Sequence, residues 1–291
     1  MNINPLVSVS IETYNHVNYI KACLDSVLMQ QTDFEFEIIL GEDASTDGTR
    51  EICIEYAERH PDKIRLFLHH RDNNISIGGK PSGRFNLLYN LSKVRGKYIA
   101  RCEGDDYWTD PLKLQKQVDF LEADENCFMI NHAMPHLMNS NEGWYDFERF
   151  CKAGYLPHTS NFMIRKFDLN KYKNALLNFL GAETCLEYIA VKEGQIYHSE
   201  EVVSYYRISG TGIYTSLSQE DKAIGEIRQL EIADKYFNIP PQIYHKKMFN
   251  RLDQLYKINS IYSLRYVLYR TYFIPKLFLI KVKDKIKLMI S

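Results

Sequence analysis

Short apolar runs alternate with amphipathic stretches along the first 110 residues of the chain. Four runs are rich in β-branched and aromatic residues and predict strands; they lie at residues 6–11, 37–40, 64–68 and 98–102. Between them, apolar side chains recur at helical spacing, and two of the predicted helices cover residues 19–30 and 85–93. A third follows a cap at residues 45–47, has its apolar face at 52–57 and ends at Pro61. Strands that alternate with helices on this scale predict an α/β fold with a parallel sheet and crossover connections.

The remainder of the chain has a less regular pattern. Predicted strands lie at residues 128–130, 162–164, 195–197 and 202–206. Predicted helices lie at residues 111–121, 174–180, 185–192 and 219–236. Residues 132–160 keep no steady period and predict no element. After Pro240 and Pro241 the pattern is helical again and increasingly basic.

The chain has 291 residues and a net charge of −1 at pH 7, which suits one large or two modest soluble domains. The net charge hides an asymmetry, because residues 261–291 contain seven lysines and arginines against one aspartate. A basic end with an apolar helical face is typical of a helix that lies on an anionic membrane surface. The alternative is a helix that docks on the rest of the chain or on a second copy.

Six cysteines are scattered along the chain without a CxxC pair. This spacing indicates neither a zinc site nor a disulfide framework, so a reducing cytoplasm is the expected location. The first residues lack the basic and apolar regions of a signal peptide. No apolar run approaches the roughly 18 residues that a membrane-spanning helix needs.

Three carboxylates stand within four residues directly after the predicted strand at 98–102, and they are Glu103, Asp105 and Asp106. Like charges this close together repel one another, and a divalent cation with oxygen ligands would neutralise them. The carboxyl end of a strand in an open α/β sheet is also where ligands usually bind. The sequence therefore predicts a cation site here, with a solvated acidic loop as the alternative.

Four segments resemble family 2 glycosyltransferases in their order and spacing. They are residues 7–15 (VSVSIETYN), 23–28 (CLDSVL), 37–49 (EIILGEDASTDGT) and 96–106 (GKYIARCEGDD), and the run at 113–117 (KLQKQ) matches as well. The resemblance is strong over residues 6–122, traceable to about residue 215 and absent beyond. It implies a GT-A fold, a Rossmann-like nucleotide-binding sandwich with a mixed central sheet. It also implies inverting sugar transfer from a nucleotide-diphosphate donor to an acceptor hydroxyl, with Mn²⁺ or Mg²⁺ as cofactor.

The resemblance implies donor-binding roles for residues at the ends of the predicted strands. Asp43 matches the carboxylate that accepts a hydrogen bond from the N–H of uracil, and a carboxylate can only accept. Tyr14 matches the position that flanks the base, with Thr13 beside it. Asp105 and Asp106 match the DxD-type pair that holds the cation and touches the donor ribose. Which aspartate ligates the metal is left open.

The second half of the chain supplies the implied catalytic group. Glu183 follows Gly181 at the start of a predicted helix and matches the general base that takes the proton of the acceptor hydroxyl. A carboxylate in this position also serves as an electrostatic helix cap, and Glu187 and Glu142 are the other candidates for the base. Arg207 lies in a segment that resembles the Tyr-Arg-x-His motif of the family and is expected to contact the diphosphate.

Some positions depart from the family pattern. Glu12 stands where members commonly have proline or threonine, which bears on a donor pocket expected to take UDP, and Ser209 stands where many have histidine. His158 is the nearest histidine that could replace it. In the glycine-rich stretch at 73–84, Lys80 and Arg84 are candidates for phosphate contacts, with a plain mobile loop as the alternative.

The resemblance also implies an organisation and a set of partners. Residues 1–218 are predicted to form the catalytic domain, with the donor half at 1–110 and the acceptor half at 111–218, and residues 219–291 a helical extension. Expected partners are a hexosyl or N-acetylhexosaminyl donor, a glycan or lipid-linked acceptor, an anionic membrane surface for residues 262–291 and a second copy of the chain. No nucleic-acid partner is expected. The expected setting is surface polysaccharide assembly at the cytoplasmic face of a bacterial membrane.

Two other functions compete with this one. A non-catalytic sugar-nucleotide or glycan-binding protein would keep the fold and lack the base. A sugar nucleotidyltransferase would need a glycine-rich phosphate loop directly after the first strand, and residues 12–16 contain no glycine.

Overall fold

The computed structural model of the protein describes residues 5–77, 80–135, 141–153, 156, 159–207 and 218–258. The chain divides into two compact units, Met1–Arg207 and Ile208–Ser291. The domain boundary predicted after residue 218 stays a prediction, since residues 208–217 lie outside the described part. The predicted membrane-binding tail at 262–291 lies outside it as well.

A mixed sheet of eight strands forms the centre of the first unit. In the part of the chain that is described, the strands are β1 (Val7–Thr13), β2 (Phe36–Glu42), β3 (Ile64–Leu68), β4 (Ile75–Ile77), β5 (Lys80–Ser82), β6 (Tyr98–Glu103), β7 (Tyr107–Trp108), β8 (Cys127–Ala133), β9 (Gly143–Tyr145), β10 (Met163–Arg165), β11 (Gln195–Val202) and β12 (Ser204–Tyr205). The large sheet has the order β3-β2-β1-β6-β10-β8-β11-β9, while β12 pairs with β7 and β4 with β5 in two small sheets. The predicted α/β class with a mixed central sheet is confirmed.

Helices lie between the strands of the first unit along the chain, and two more follow in the second unit. The helices of the described residues are α1 (Ile20–Leu28), α2 (Thr49–Arg59), α3 (Arg84–Lys93), α4 (Lys113–Ala123), α5 (Phe147–Ala153), α6 (Leu169–Asn178), α7 (Ala182–Glu193), α8 (Gln219–Phe237) and α9 (Pro241–Ile258). Short 3₁₀ turns lie at Arg71–Asn73 and Thr159–Asn161.

The first half of the large sheet is parallel. β1 lies between β2 and β6, and β3 pairs with the outer side of β2. Every residue of β1 and of β2 is buried, as is usual where helices cover both faces of a parallel sheet. Val9 and Ile11 of β1 share the core with Cys23 and Leu24 of α1. This complete burial is why the strands stand out as apolar runs in the sequence.

The second half of the sheet mixes directions. β10 pairs antiparallel with both β6 and β8, β11 runs parallel to β8, and β9 closes the edge antiparallel to β11. The stretch at 132–160, where no element was predicted, contains β9 and α5. These elements have three and seven residues, which is too short for a hydrophobic period to repeat.

The glycine-rich stretch at 73–83 is not a plain loop. β4 and β5 form an antiparallel hairpin there, and the Ser82 hydroxyl donates to the Ile75 carbonyl at 2.6 Å. Residues 78 and 79, at the tip, lie outside the described residues.

The described residues of the second unit form α8 and α9. Ser218 precedes α8, and its hydroxyl accepts a hydrogen bond from the Asp221 N–H at 3.0 Å, which is the usual role of an N-terminal cap. Arg251 of α9 pairs with Glu226 of α8 at 2.8 Å. Across all described residues, no helix combines the length and apolar character that crossing a bilayer requires.

Candidate active site

Three neighbouring parallel strands end at one edge of the sheet and bring the predicted donor residues together. Thr13 at the end of β1 lies beside Glu42 of β2, and Glu12 lies beside Glu103 of β6. The Asp43 N–H donates to the Thr13 carbonyl at 3.0 Å. This edge is where ligands bind in open α/β sheets, so the predicted residues share one candidate site.

One end of the site consists of Asp43, Arg71 and Tyr14. The Arg71 guanidinium donates to Asp43 Oδ2 at 2.9 Å and lies 4.0 Å from the centroid of the Tyr14 ring. Asn74, with its amide oriented to suit both neighbours, donates to Asp43 and accepts from Arg71. Burial raises the pKa of Asp43, and Arg71 opposes that rise. The site thus presents an acceptor, a donor and an aromatic face side by side.

Arg71 and Asn74 were not predicted from the sequence. Arg71 begins a 3₁₀ turn that follows the third strand, and Asn74 is the residue directly after this turn. The one available signal was the place of Asp43 directly after a strand that was predicted to be buried. A carboxylate that is buried there needs a positively charged partner. Nothing in the pattern says which of the basic residues downstream supplies that partner.

The acidic turn begins with a close approach between two strand ends. A Cβ atom on Gly104 would come within 2.6 Å of Thr13 Oγ1 and 2.8 Å of His16 Nδ1, so only glycine lets the turn lie against β1. The Asp105 carboxylate, 27% exposed, lies 4.0 Å from His16 Nε2. Burial lowers the pKa of His16, while the Asp105 charge acts in the opposite direction.

The neighbouring Asp106 has a different environment. It is fully buried; its Oδ2 accepts from the Ser160 hydroxyl at 2.5 Å and its Oδ1 from the Arg207 N–H at 3.1 Å. Burial raises its pKa to about 7, and the Ser160 hydrogen bond opposes the rise. Two adjacent aspartates with the same sequence signal therefore differ, since one faces the site and the other holds the turn.

The departure at Glu12 has a structural explanation. The Glu12 side chain points into the sheet, where its Oε2 accepts from Arg101 at 2.7 Å and its Oε1 from Asn90 at 3.1 Å. Arg101, 2% exposed, also pairs with Glu103 at 2.9 Å. Burial is the main cause that raises the pKa of Glu103, to about 8. Glu12 thus compensates a buried arginine, which also pairs with Glu103 at the start of the acidic turn.

Arg207 lies next to the acidic turn. Its guanidinium is 4.7 Å from the ring centroid of Tyr107 and 5.4 Å from that of Tyr19. The Tyr107 ring stacks in turn on Tyr205, with 5.2 Å between the ring centroids. Aromatic faces attract a guanidinium at these distances, so the orientation of Arg207 is set by its neighbours.

Glu183 lies in the first turn of α7, half-buried. Its carboxylate folds back over Gly181, because a Cβ atom there would come within 2.7 Å of Glu183 Oε1. Burial raises the pKa of Tyr206, and the charges of Asp106, Asp105 and Glu183 add to that rise. The Glu183 carboxylate therefore lies close enough to Tyr206 to raise the pKa of its phenol, as the two aspartates of the acidic turn also do.

Arg84 does not face a phosphate, contrary to the expectation from the sequence. It is 5% exposed, and its guanidinium donates to the carbonyls of Leu176, Phe179 and Leu180 at 2.6, 2.9 and 3.2 Å. These carbonyls lie in the last turn of α6 and in the two residues that follow it, directly before the segment that carries Glu183. Arg84 therefore fixes the approach to α7. The side chain of Lys80, the other candidate, lies outside the described residues.

The other candidates for the base have different surroundings. Glu187 is 2% exposed; one of its oxygens accepts from the Leu156 N–H at 3.2 Å, and burial raises its pKa well above the ordinary value. Glu142 is exposed and accepts from the Tyr197 hydroxyl at 2.7 Å. Ser209 and His158 lie outside the described residues.

The acidic turn fits a cation that arrives with a nucleotide. Within the described ranges, no three His, Cys, Asp or Glu side chains form a group that could hold a metal ion. Mg²⁺ in nucleotide enzymes is commonly held by one or two carboxylates together with substrate phosphates and water. Asp105 offers one partly exposed carboxylate of this kind, whereas both oxygens of Asp106 already accept hydrogen bonds.

Known proteins share both the sequence and the fold of this chain. Residues 8–180 match the sequence profile of glycosyl transferase family 2. The uncharacterized protein Rv1520 of Mycobacterium tuberculosis is 47% identical over 127 residues, which are 44% of this chain and 34% of that protein. The chain thus spans about a third of the length of that relative.

Two solved structures have a similar fold. Staphylococcus aureus TarS 1–349 in complex with UDP-GlcNAc has a TM-score of 0.60 at 18% identity, over 86% of this chain and 72% of that chain. The mannosyltransferase PcManGT from Pyrobaculum calidifontis, in complex with GDP-Man and Mn²⁺, has a TM-score of 0.61 at 16% identity, over 99% and 81%. These similarities confirm the predicted GT-A fold. With a family match over more than half of its length, the chain belongs to glycosyl transferase family 2.

Proposed function

We propose that the protein is an inverting glycosyltransferase that moves a sugar, of the hexosyl or N-acetylhexosaminyl type, from a UDP-sugar to an acceptor hydroxyl. The observation that carries this proposal is the division of labour along one sheet edge. Asp43, directly after the end of β2, forms a pocket for a base with Arg71 and Tyr14. The partly exposed Asp105 carboxylate follows the end of β6, two strands along the sheet. Membership of the family supports the transfer chemistry.

The base pocket supports uridine as the nucleoside. Uracil presents one N–H flanked by two carbonyl oxygens, so an acceptor and a donor side by side match its edge. Asp43 is the acceptor and Arg71 the donor, with 2.9 Å between them. The Tyr14 ring, 39% exposed, offers an aromatic face to the base. Thr13, at the end of β1 between this pocket and the acidic turn, contacts His16 Nδ1 through its hydroxyl at 3.2 Å.

The acidic turn supports a divalent cation at the diphosphate. We assign Asp105 as its protein ligand and Asp106 as the residue that fixes the turn. When bound, the cation would stabilise the negative charge that grows on the leaving diphosphate. Arg207 reaches the same end of the site and would bind a diphosphate oxygen through its guanidinium.

Glu183 is the proposed general base. It would accept the proton of the acceptor hydroxyl as that oxygen attacks the anomeric carbon and the bond to the diphosphate breaks. A single displacement of this kind inverts the anomeric centre. Its place in the first turn of α7 puts the carboxylate next to the partial positive charge of a helix N-terminus.

The test is turnover of a panel of UDP-, GDP- and dTDP-sugars with Mn²⁺, followed as release of the nucleoside diphosphate. We expect slow metal-dependent hydrolysis of one UDP-sugar. Glu183→Gln should lower turnover by about 10²–10⁴-fold without weakening donor binding, while the exposed Glu142→Gln serves as the matched control. Binding without turnover in the wild type would favour a non-catalytic sugar-nucleotide-binding protein instead.

Acceptor and setting extend the proposal beyond the donor site. A glycan or lipid-linked acceptor in surface polysaccharide assembly would place the enzyme at a membrane, and the basic segment 262–291 would bind anionic lipid there. Liposome flotation of the chain with and without residues 262–291 tests this contact. Equal flotation of both forms would contradict it.

A further inference from the structure

A lysine lies fully buried at the start of α4, after the acidic segment Glu103–Asp106 and β7. Lys113 Nζ donates to Gln117 Oε1 at 2.9 Å and lies 4.1 Å from the centroid of the Trp108 ring. Both partners of the pair belong to the KLQKQ run, which resembles the family but has no role in the site described above. Burying an ammonium is costly unless its contacts compensate. A methionine would fill the same volume without that cost, so the specific contribution of Lys113 is the contact with Gln117.

Gln117 also binds the 3₁₀ turn at Thr159–Asn161 and so connects Lys113 to it. Its Nε2 donates to the Asn161 carbonyl at 3.0 Å. The indole N–H of Trp108 donates to the preceding carbonyl, that of Ser160, at 2.8 Å. Two consecutive carbonyls of the turn are therefore held by side chains that both contact Lys113. The main chain of the turn has little freedom to shift.

Ser160 connects this turn to the acidic segment. Its hydroxyl donates to Asp106 Oδ2 at 2.5 Å and accepts from the Glu103 N–H at 3.1 Å. One side chain thus holds both ends of the segment Glu103–Asp106, with Asp105 between them. Any displacement of Ser160 would move the carboxylate that faces the site.

We propose that Lys113, Gln117 and Ser160 are positioning residues that set the geometry of the acidic turn for a cation and a diphosphate. This inference rests on the proposed function, because it needs Asp105 to be the cation ligand. The chain of contacts runs from α4 through the 3₁₀ turn to Asp106, and each link is a hydrogen bond between buried groups. It gives the KLQKQ run a role in donor binding without any contact to the donor.

The test compares two substitutions on the same helix. Lys113→Met removes the buried contact, and Lys116→Met changes a half-exposed lysine that pairs with Asp110 and Glu201 on the outer face. The readouts are Mn²⁺ affinity in the presence of UDP, from the free-ion signal in electron paramagnetic resonance, and the thermal unfolding midpoint. We expect Lys113→Met to weaken Mn²⁺ binding about 10-fold, as for residues that orient metal ligands, with no fall in the midpoint. Lys116→Met should change neither.

Ser160 provides the second pair of variants. Ser160→Ala should weaken Mn²⁺ binding about 10-fold, and Ser160→Thr, which keeps the hydroxyl, should restore it. A purely structural role would instead lower the unfolding midpoint in step with affinity. If Lys113→Met fails to fold, the Ser160 pair decides.

Failure of this inference differs from failure of the proposed function. Asp105→Asn should abolish Mn²⁺ binding with UDP. Wild-type binding by Asp105→Asn would overturn the cation site itself. Loss in Asp105→Asn together with wild-type affinity in Lys113→Met and Ser160→Ala would overturn only the positioning role.

Discussion

At the scale of single residues, burial separates groups that the sequence cannot tell apart. Asp105 and Asp106 are adjacent and share one motif. Only Asp106, however, accepts a hydrogen bond from the hydroxyl of Ser160, 54 positions away in the chain. The sequence predicted both as metal ligands and could not choose, because the choice depends on a contact from another part of the chain. Glu12 looked like a change in the donor pocket for the same reason, since its partner Arg101 lies 89 positions away.

The first prediction concerns the base pocket. Asp43→Asn replaces an acceptor-only carboxylate with an amide whose NH₂ group would oppose the N–H of uracil. Hydrogen bonds to charged groups contribute about 1.5–3 kcal/mol, so the Kd for UDP should rise about 10–100-fold. Calorimetric titration measures the Kd. Asp72→Asn changes an exposed carboxylate on the 3₁₀ turn that carries Arg71 and should leave the Kd unchanged. Equal affinities in both variants would remove Asp43 from the pocket.

The second prediction tests Glu183 without altering it. In Gly181→Ala the new methyl group would meet Glu183 Oε1 at 2.7 Å, and the flexible carboxylate would move while the backbone stays. We expect turnover to fall about 10-fold or more, with UDP affinity and unfolding midpoint unchanged. Turnover at the wild-type level would mean that the observed position of the carboxylate has no catalytic importance.

At the scale of elements, long buried strands were predictable and short peripheral ones were not. β1, β2 and β6 are apolar runs at the predicted places, because they are buried along nearly their whole length. β3 also lies where it was predicted, although only its first residue is buried. β9 and α5 are fixed by edge-to-face ring contacts, those of Trp144 with Tyr197 and of Phe150 with Tyr188, at 5.2 and 5.0 Å between ring centroids. No local pattern encodes such contacts. The role of α3 was also hidden, since Arg84 at its start lies at the end of a glycine-rich stretch and was expected to face phosphate.

The third prediction concerns the connection from α3 to α6. Arg84→Met leaves the carbonyls of Leu176, Phe179 and Leu180 without their buried donor. The free energy of unfolding should fall by about 2–3 kcal/mol, as expected for hydrogen bonds to a charged group, measured by urea denaturation. Arg59→Met, which removes a half-exposed pair with Glu55 on α2, should change it by less than about 0.5 kcal/mol. Similar losses in both variants would contradict the account of Arg84.

At the scale of the whole molecule, the sequence predicted the fold class and the side of the sheet that binds ligand. The fold class follows from the alternation of strands and helices along the chain. The side that binds ligand follows from the rule that parallel strands end at a common edge. The mixed second half follows from long-range pairing, in which β10 inserts between β6 and β8. Such pairing depends on partners far apart in the chain, so the resemblance, and not the hydrophobic pattern, predicted it.

The fourth prediction concerns stability against pH. Burial lowers the pKa of Lys113 from 10.5 to about 7, so between these values the unfolded chain binds a proton that the folded chain does not. The free energy of unfolding therefore gains a contribution that rises with pH through this window, by about 1 kcal/mol per unit.

Lys113→Met removes that contribution and allows it to be measured. The difference in unfolding free energy, wild type minus variant, should increase between pH 7 and pH 10 in urea denaturation. Burial also raises the thiol pKa of buried cysteines such as Cys53 and Cys127, but this affects both proteins alike and cancels in the difference. A difference that does not change with pH would show that the buried amine keeps its ordinary pKa.

The most direct test of the central claim is calorimetric titration of UDP into the wild-type protein with saturating Mn²⁺. The account predicts saturable binding of one UDP per chain, which is lost in EDTA and in Asp105→Asn, and weakened in Asp43→Asn. Binding of UDP that is undiminished in EDTA and in both variants, or no binding of UDP at all, would contradict it.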